Sequence, residues 1–210
     1  MALLKVIDKL HAQVYVWKVD EEVDYLVEEL VLRQQTQERL SKMKSEVHKK
    51  GFLAVRHLLL TAGYTDLDLL YDKNGKPYLT DGNHISISHS FEYACIIISK
   101  SVVGIDIEQK RYKIKRIATK FLSDTEKEFN TLLTSDQSIE YLTRVWCVKE
   151  TLFKMGDSRS LSFKDNMRTH FSAFDSLFGQ AEISSQTFNL TTDFHIEDLG
   201  SFILAYAVNL

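Results

Sequence analysis

Asp106 and Glu108 lie two residues apart in the apolar segment 102–108, which has the sequence VVGIDIE. Residues two apart in a strand project from the same face, so the two carboxylates would stand side by side. Neighbouring anions repel unless a cation lies between them, and hard carboxylate oxygens favour Mg²⁺ or Mn²⁺ over zinc. The pair is a candidate metal site, with two solvated acids on an edge strand as the alternative.

A second candidate lies in segment 146–154, WCVKETLFK. On a helix, Glu150 and Lys154 share one face with Trp146 and Phe153. Glu150 and Lys154 also have the spacing of an ordinary surface ion pair. Because the aromatic residues should be partly buried, however, a carboxylate and a lysine on their stripe favour a functional role. We interpret Glu150 as a third metal ligand and Lys154 as a phosphate-binding cation.

Three further positions have weaker signals for phosphate binding. Ser88 and His89 end an alternating segment, where a hydroxyl and an imidazole can donate to phosphate oxygens. Lys76 follows Asn74-Gly75 in a tight turn, and Arg56 lies within an apolar helical stretch. Each has a structural alternative, namely a turn, a surface lysine and an arginine that extends its charged end to solvent.

The elements that must position these residues alternate between helical and strand patterns, which predicts an α+β fold. Ser123 followed by Glu126 predicts a capping box at the start of a helix. The remainder after residue 160 is mostly strand-like. The predicted strands are 11–19, 85–88, 93–99 and 102–108, and the predicted helices are two within 22–60 and one over 139–155, ended by Gly156.

Composition limits the functional classes. The 210 residues suit one domain or two small packed halves, and the net charge of −3 gives no reason to expect nucleic acid or membrane as partner. Cys95 and Cys147 lie in apolar surroundings, as reduced buried thiols do. With no charged-then-apolar leader and no long apolar stretch, we expect a soluble, cytoplasmic protein.

The basic run 110–120, KRYKIKRIATK, contains six bases and contrasts with six acids in segment 20–29. The acidic run is typical of a solvated helix face. In the basic run, Ile114 and Ile117 are interleaved with the charges as if to anchor the segment. We therefore favour an interaction surface there.

Taken in order, these motifs resemble the 4'-phosphopantetheinyl transferase superfamily, in the two-lobed type that activates non-ribosomal peptide synthetases and other carrier proteins. The matching segments are GKP at 75–77, SHS at 88–90, GIDIE at 104–108 and WxxKExxxK at 146–154. The resemblance implies two similar α+β lobes related by a pseudo-two-fold, with the active site at their interface. Residues 1–102 would form the N-terminal lobe and 103–210 the lobe with the metal-binding carboxylates, in one intimately packed, monomeric unit.

The resemblance also implies an activity: transfer of 4'-phosphopantetheine from coenzyme A to a serine of an acyl or peptidyl carrier protein, releasing adenosine 3',5'-bisphosphate. Asp106, Glu108 and Glu150 would hold Mg²⁺ or Mn²⁺, and Asp106, Glu150 and Lys154 would be catalytic. Glu150 would accept the serine proton directly or through water. The coenzyme A contacts would be Arg56 at the 3'-phosphate, Lys76, Ser88, His89 and Lys154, with Lys44, Lys49 and Lys50 as further candidates.

Two alternatives remain at this stage. Asp106, Glu108 and Lys110 also resemble the carboxylate–carboxylate–lysine cluster of a metal-dependent nuclease. A relative that binds coenzyme A or a carrier without catalysis is the other. For the transferase, the run Lys110–Lys120 is the candidate docking site for an acidic carrier protein.

Overall fold

The computed structural model describes residues 3–156 and 161–210, and the chain divides into two compact units, Met1–Val102 and Val103–Leu210. Each unit combines helices with an antiparallel sheet. The predicted α+β class is therefore confirmed.

The first unit contains a four-stranded sheet in the order β1-β2-β6-β5 and a small hairpin, β3-β4. The predicted pairing of the alternating segment with the following apolar segment is confirmed, since Ser88 of β5 lies opposite Cys95 of β6. The edge strand β1 was not predicted, because its residues are mostly exposed and show no alternation. The strands are β1 (Leu3–Lys9), β2 (Ala12–Lys18), β3 (Leu69–Tyr71), β4 (Pro77–Leu79), β5 (His84–Ser90) and β6 (Tyr93–Ser99).

Three helices precede β3, where two were predicted: α1 (Val23–Glu28), α2 (Gln34–Lys42) and α3 (Glu46–Thr61). The third helix arises because a new helix begins at Ser45, which separates α3 from α2. The Ser45 side chain caps α3 by accepting a hydrogen bond from the His48 amide. The apolar face of α3 then packs on the sheet and forms the core of this unit.

The second unit is built on a five-stranded antiparallel sheet in the order β7-β11-β10-β9-β8. The edge strand β7 contains both acids of the GIDIE segment and confirms the strand predicted there. Phe163 lies in a short helix and Phe171 in a loop, contrary to the strand prediction for that region. The strands are β7 (Val103–Gln109), β8 (Met167–His170), β9 (Phe178–Ser184), β10 (Asn189–Asp198) and β11 (Phe202–Val208).

Long helix α6 (Ser135–Met155) packs along β7 and β11. It begins four residues before the prediction, because Thr134 and Gln137 form a capping box, and it ends at Gly156 as predicted. The capping box of Ser123 and Glu126 is also confirmed. A 3₁₀ turn (Tyr112–Arg116) and three shorter helices complete the unit: α4 (Ala118–Phe121), α5 (Asp124–Thr131) and α7 (Phe163–Asn166).

Both cysteines are free and buried, which confirms that prediction. Among the helices of residues 3–156 and 161–210, none combines the length and the apolar character needed to cross a membrane.

Candidate active site

The candidate site lies where α6 crosses β7, and Gly104 permits the close approach of the two elements. A methyl group at Gly104 would overlap the carbonyl oxygen of Thr151 and lie 2.8 Å from Met155 Cγ. The Thr151 hydroxyl donates to the Ala205 carbonyl at 3.1 Å, and the Cys147 thiol donates to the Asp106 carbonyl at 3.1 Å. The backbone of α6 thus packs directly against β11 and against β7, the strand that contains Asp106 and Glu108.

Replacing Gly104 with alanine should therefore separate α6 from β7. We expect a loss of about 3 kcal/mol in the free energy of unfolding, measured by urea denaturation, because overpacking forces backbone shifts. Gly200→Ala is the matched control, since nothing lies within 4 Å of that position and its φ of 73° costs only about 1 kcal/mol. Equal losses in the two variants would contradict this close-packing account.

Two side chains of α6 bind the two acids of β7. Lys154 Nζ donates to Asp106 Oδ1 at 2.8 Å and to the Ile105 carbonyl at 2.7 Å. Trp146 Nε1 donates to Glu108 Oε1 at 3.2 Å. The structure therefore brings the strand segment and the helix segment together, and the face of α6 that contains Trp146 and Lys154 is turned toward β7.

Glu150 lies between Trp146 and Lys154 along the helix and shares the electrostatic field of both strand acids. Burial, followed by the charge of Asp106, raises the pKa of Glu150 from 4.5 to about 7. Burial and the charge of Asp106 likewise raise the pKa of Glu108. These mutual effects place three carboxylates within range of each other's charge.

Within residues 3–156 and 161–210, no group of three or more acidic, histidine or cysteine side chains has the arrangement to hold a metal ion. The hydrogen bonds explain the present side-chain positions, since Lys154 binds Asp106 and Trp146 binds Glu108. Repulsion also disfavours closer approach of the acids. The chemistry of the three side chains nevertheless fits Mg²⁺, because all three are carboxylates and none is a soft ligand.

Aromatic rings fix the position of Trp146. The ring of Phe121 lies 5.2 Å from it in an edge-on arrangement, and the ring of Phe163 lies 5.3 Å away on a tilted plane. Phe163 also contacts Phe153, the next aromatic residue on the same face of α6. The indole that donates to Glu108 is thus held between two aromatic neighbours.

Sequence reasoning did not identify the buried pair Lys149–Glu126. Lys149 is 0% exposed, and its Nζ lies 2.6 Å from Glu126 Oε2. The capping-box pattern indicated only that Glu126 would cap α5. A lysine three residues after Trp146, on a helix face expected to be buried, was the available signal that it needed a partner.

Arg56 does not have the exposure expected for a coenzyme A contact. Its side chain is 3% exposed, its Nε lies 3.1 Å from Asp66 Oδ1, and its guanidinium lies 3.6 Å from the centre of the Phe52 ring. Burial lowers the pKa of Arg56. Binding a phosphate would require breaking this buried ion pair, so the role of Arg56 at the 3'-phosphate stays a prediction that its present contacts do not support.

The other expected coenzyme A contacts lie in the first unit. Ser88 and His89 belong to β5, and the His89 ring lies against Gly51 of α3, where a methyl group would come within 3.0 Å of Nδ1. Lys76 lies in the β3–β4 turn, where Gly75 has a φ of 80° as the turn prediction requires. Of the three further lysine candidates, Lys50 forms an ion pair with Glu22 at 2.9 Å.

Lys110 does not join the strand acids as a nuclease would require. Its Nζ lies 2.9 Å from Asp198 and 3.7 Å from Glu140. The nuclease hypothesis therefore loses the lysine on which it depended. These ion pairs hold Lys110 away from the candidate site. The exposed bases of the run are Arg111, Lys113, Arg116 and Lys120.

The raised pKa of Glu150 predicts a pH-dependent stability in the metal-free protein. Below pH 4.5 the carboxyl is protonated in both folded and unfolded chains and contributes nothing. Between pH 4.5 and about 7 the folded chain holds the extra proton, so stability should fall as pH rises.

We expect Glu150 to contribute a loss of about 2 kcal/mol across that interval, because partial exposure screens the repulsion. Urea denaturation of metal-free protein at a series of pH values measures it. Glu150→Gln should flatten this part of the profile, whereas the exposed Glu128→Gln should not. A profile unchanged by Glu150→Gln would show that this carboxyl titrates normally.

A family profile and three related proteins all relate this chain to 4'-phosphopantetheinyl transferases. The sequence profile of the 4'-phosphopantetheinyl transferase superfamily matches residues 102–207, about half of the chain. A 4'-phosphopantetheinyl transferase of Bacillus subtilis is 31% identical over 102 residues, covering 44% of this chain and 46% of the relative. The transferase gsp of Aneurinibacillus migulanus is 30% identical over 107 residues, covering 50% and 45% respectively.

A third relative, the transferase Sfp of Bacillus subtilis strain 168, is 29% identical over 92 residues, covering 43% of this chain and 41% of the relative. The aligned segments thus span a little under half the length of each relative. The profile match includes β7 and α6 with all four charged residues of the site. The chain belongs to the 4'-phosphopantetheinyl transferase superfamily.

Proposed function

We propose that the protein transfers the 4'-phosphopantetheine group of coenzyme A to a serine of a carrier protein. The serine oxygen attacks the β-phosphate, the bond from that phosphorus to the bridging oxygen breaks, and adenosine 3',5'-bisphosphate leaves. The observation that supports this activity best is the junction of β7 and α6. There, Asp106, Glu108 and Glu150 share one electrostatic field beside the ammonium group of Lys154.

The three carboxylates are the proposed ligands of a divalent cation, Mg²⁺ or Mn²⁺. When bound, such a cation neutralises the diphosphate and stabilises the charge that develops on it during transfer. Asp106 and Glu108 supply ligands from a strand, and Glu150 supplies one from a helix that packs tightly on it. Rigid elements of this kind hold a site more precisely than loops do.

Lys154 is the proposed partner of the leaving phosphate. Its Nζ is held at 2.8 Å from Asp106 and carries a positive charge that a phosphate oxygen can bind. As the bond breaks, negative charge accumulates on the leaving α-phosphate, and the ammonium group can stabilise that charge or donate a proton to it.

Glu150 is the proposed acceptor of the serine proton, directly or through an ordered water. In the metal-free chain, burial and the neighbouring acids raise the pKa of Glu150 to about 7. A bound cation would lower the basicity of this carboxylate, which favours the route through water. Ser88, His89 and Lys76 of the first unit remain the proposed hydrogen-bond and charge partners of the coenzyme A phosphates. Arg56 would join them only by leaving its ion pair with Asp66.

The proposed carrier-docking surface consists of the exposed bases Arg111, Lys113, Arg116 and Lys120. Ile114 and Ile117 pack on the core behind them, so the turn is anchored as its sequence indicated. A cleft of about 250 Å³ opens beside this surface and shares Glu108 and Trp146 with the candidate site. An acidic carrier bound on the bases would therefore lie close to the reacting groups.

This docking surface predicts a salt effect that distinguishes the two substrates. Raising NaCl from about 50 to about 300 mM should raise the carrier KM about fivefold or more, because it screens exposed charges, and should change the coenzyme A KM less. Lys113→Glu should reproduce the rise at low salt, whereas Lys127→Glu, at an exposed position of α5, should not. A carrier KM insensitive to both changes would contradict docking there.

Intact mass spectrometry of purified apo-carriers tests the activity itself. Incubation with coenzyme A and Mg²⁺ should add one phosphopantetheine mass to a carrier of fatty acid, polyketide or peptide synthesis, and a carrier with alanine in place of the target serine should gain nothing. Coenzyme A binding by calorimetry without a mass gain on any carrier would favour the non-catalytic alternative.

A further inference from the structure

We infer that the buried pair Lys149–Glu126 is a positioning device for two of the three site carboxylates, Glu150 and Glu108. This inference rests on the proposed metal-binding function of those two residues. It assigns Lys149 and Glu126 no contact with substrate or metal.

Four oxygen atoms surround the buried ammonium group of Lys149. Lys149 Nζ lies 2.6 Å from Glu126 Oε2 and within 3.0 Å of the carbonyl oxygens of Phe121, Phe163 and Met167. The other oxygen of Glu126 accepts hydrogen bonds from the backbone amide and the hydroxyl of Thr169. One buried charge pair thus connects α6 with the ends of α4 and α7 and with β8.

The second observation concerns the rotation of α6 about its axis. Successive residues lie about 100° apart on a helix, so Lys149 and Thr151 flank Glu150 on opposite sides. Lys149 holds one side to the elements named above. On the other side, the Thr151 hydroxyl shares its proton between the Cys147 carbonyl at 2.9 Å and the Ala205 carbonyl of β11 at 3.1 Å. Rotation by about 10° would move a carboxylate about 6 Å from the axis by about 1 Å, which a catalytic site does not tolerate.

The third observation connects the same ammonium group to Glu108. Lys149 binds the carbonyls of Phe121 and Phe163, whose rings contact Trp146 on two sides. Trp146 in turn donates to Glu108 Oε1. Lys149 therefore fixes Glu150 through the helix and Glu108 through the indole.

The test compares Lys149→Met with Arg144→Met on the same helix. Arg144 is 1% exposed and binds Glu140 and Asp198, so its loss also removes a buried charge, but in a network that does not include the Trp146 contacts. Both variants are made with Trp17→Phe, which leaves Trp146 as the single tryptophan of the chain. The readouts are the near-ultraviolet circular dichroism of Trp146 in metal-free protein and the Mg²⁺ affinity by calorimetry.

We expect Lys149→Met to lose at least half of the Trp146 signal and about tenfold or more in Mg²⁺ affinity, because outer partners orient metal ligands. Arg144→Met should retain both while losing comparable stability. If Lys149→Met does not fold, the double variant Lys149→Met/Glu126→Gln answers the same question, since it leaves no unpaired buried charge.

An unchanged Trp146 signal together with unchanged Mg²⁺ affinity would overturn the inference and leave the pair a stabilising role only. If the parent protein itself binds no Mg²⁺, the proposed metal site fails separately. The Trp146 signal then decides: its loss in Lys149→Met supports the positioning role, and its retention overturns it.

Discussion

Replacing Asp106 with asparagine should lower the rate of phosphopantetheine transfer by about 1,000-fold, since it removes one of the charges on which transition-state stabilisation depends. The substitution is isosteric, and the amide oxygen can still accept from Lys154. It also relieves repulsion in the acidic cluster, because the charge of Asp106 raises the pKa values of both Glu108 and Glu150. We therefore expect a folded protein whose melting temperature does not fall.

Asp193→Asn is the matched control for this experiment. Asp193 is an exposed acid on β10, in the same sheet as Asp106, and its removal should leave the rate unchanged. Transfer should be measured by intact mass of the carrier at saturating coenzyme A. Near-normal turnover in a folded Asp106→Asn protein would remove Asp106 from the proposed chemistry.

Replacing Lys154 with methionine should separate metal binding from chemistry. The expected decrease in kcat is about 100-fold or more, because the leaving phosphate loses the ammonium group that stabilises it. Mg²⁺ affinity should not decrease. Lys154 Nζ donates to Asp106 Oδ1 at 2.8 Å in the metal-free protein, so replacing the lysine makes that oxygen available to the cation.

Lys127→Met, which removes an exposed lysine of α5, serves as the control and should leave kcat and Mg²⁺ affinity unchanged. A Lys154→Met protein that loses Mg²⁺ binding together with activity would indicate that Lys154 orders the carboxylates rather than acting on the phosphate. A kcat near that of the parent protein would remove Lys154 from the mechanism.

Local sequence patterns predicted much of the site because short-range rules decide it. Asp106 and Glu108 share a face through the two-residue repeat of β7, and Glu150 and Lys154 do so through the helical repeat of α6. The capping box of Ser123 and Glu126 also follows from spacing, whereas that of Thr134 and Gln137 was not predicted. What spacing cannot supply is the partner of each charge across the fold.

The pairings that the sequence did not reveal share that cause. Arg56 was expected to bind phosphate, and only the fold shows that Asp66, ten residues later, neutralises it. Lys110 pairs with Asp198, 88 residues away, and Lys149 with Glu126 across two helices. Such long-range ion pairs leave no periodic trace in the sequence. The exposed edge strand β1 was not predicted for a different reason. It lacks the alternation of apolar and polar residues that burial on one face produces.

The central claim is that two strand acids and one helix acid bind a single divalent cation. Crystals of the protein grown with coenzyme A and Mn²⁺, examined by anomalous diffraction at the manganese edge, test it most directly. We expect one Mn²⁺ peak within bonding distance of Asp106, Glu108 and Glu150. An ion bound elsewhere, with these three carboxylates directed to separate places, would contradict it.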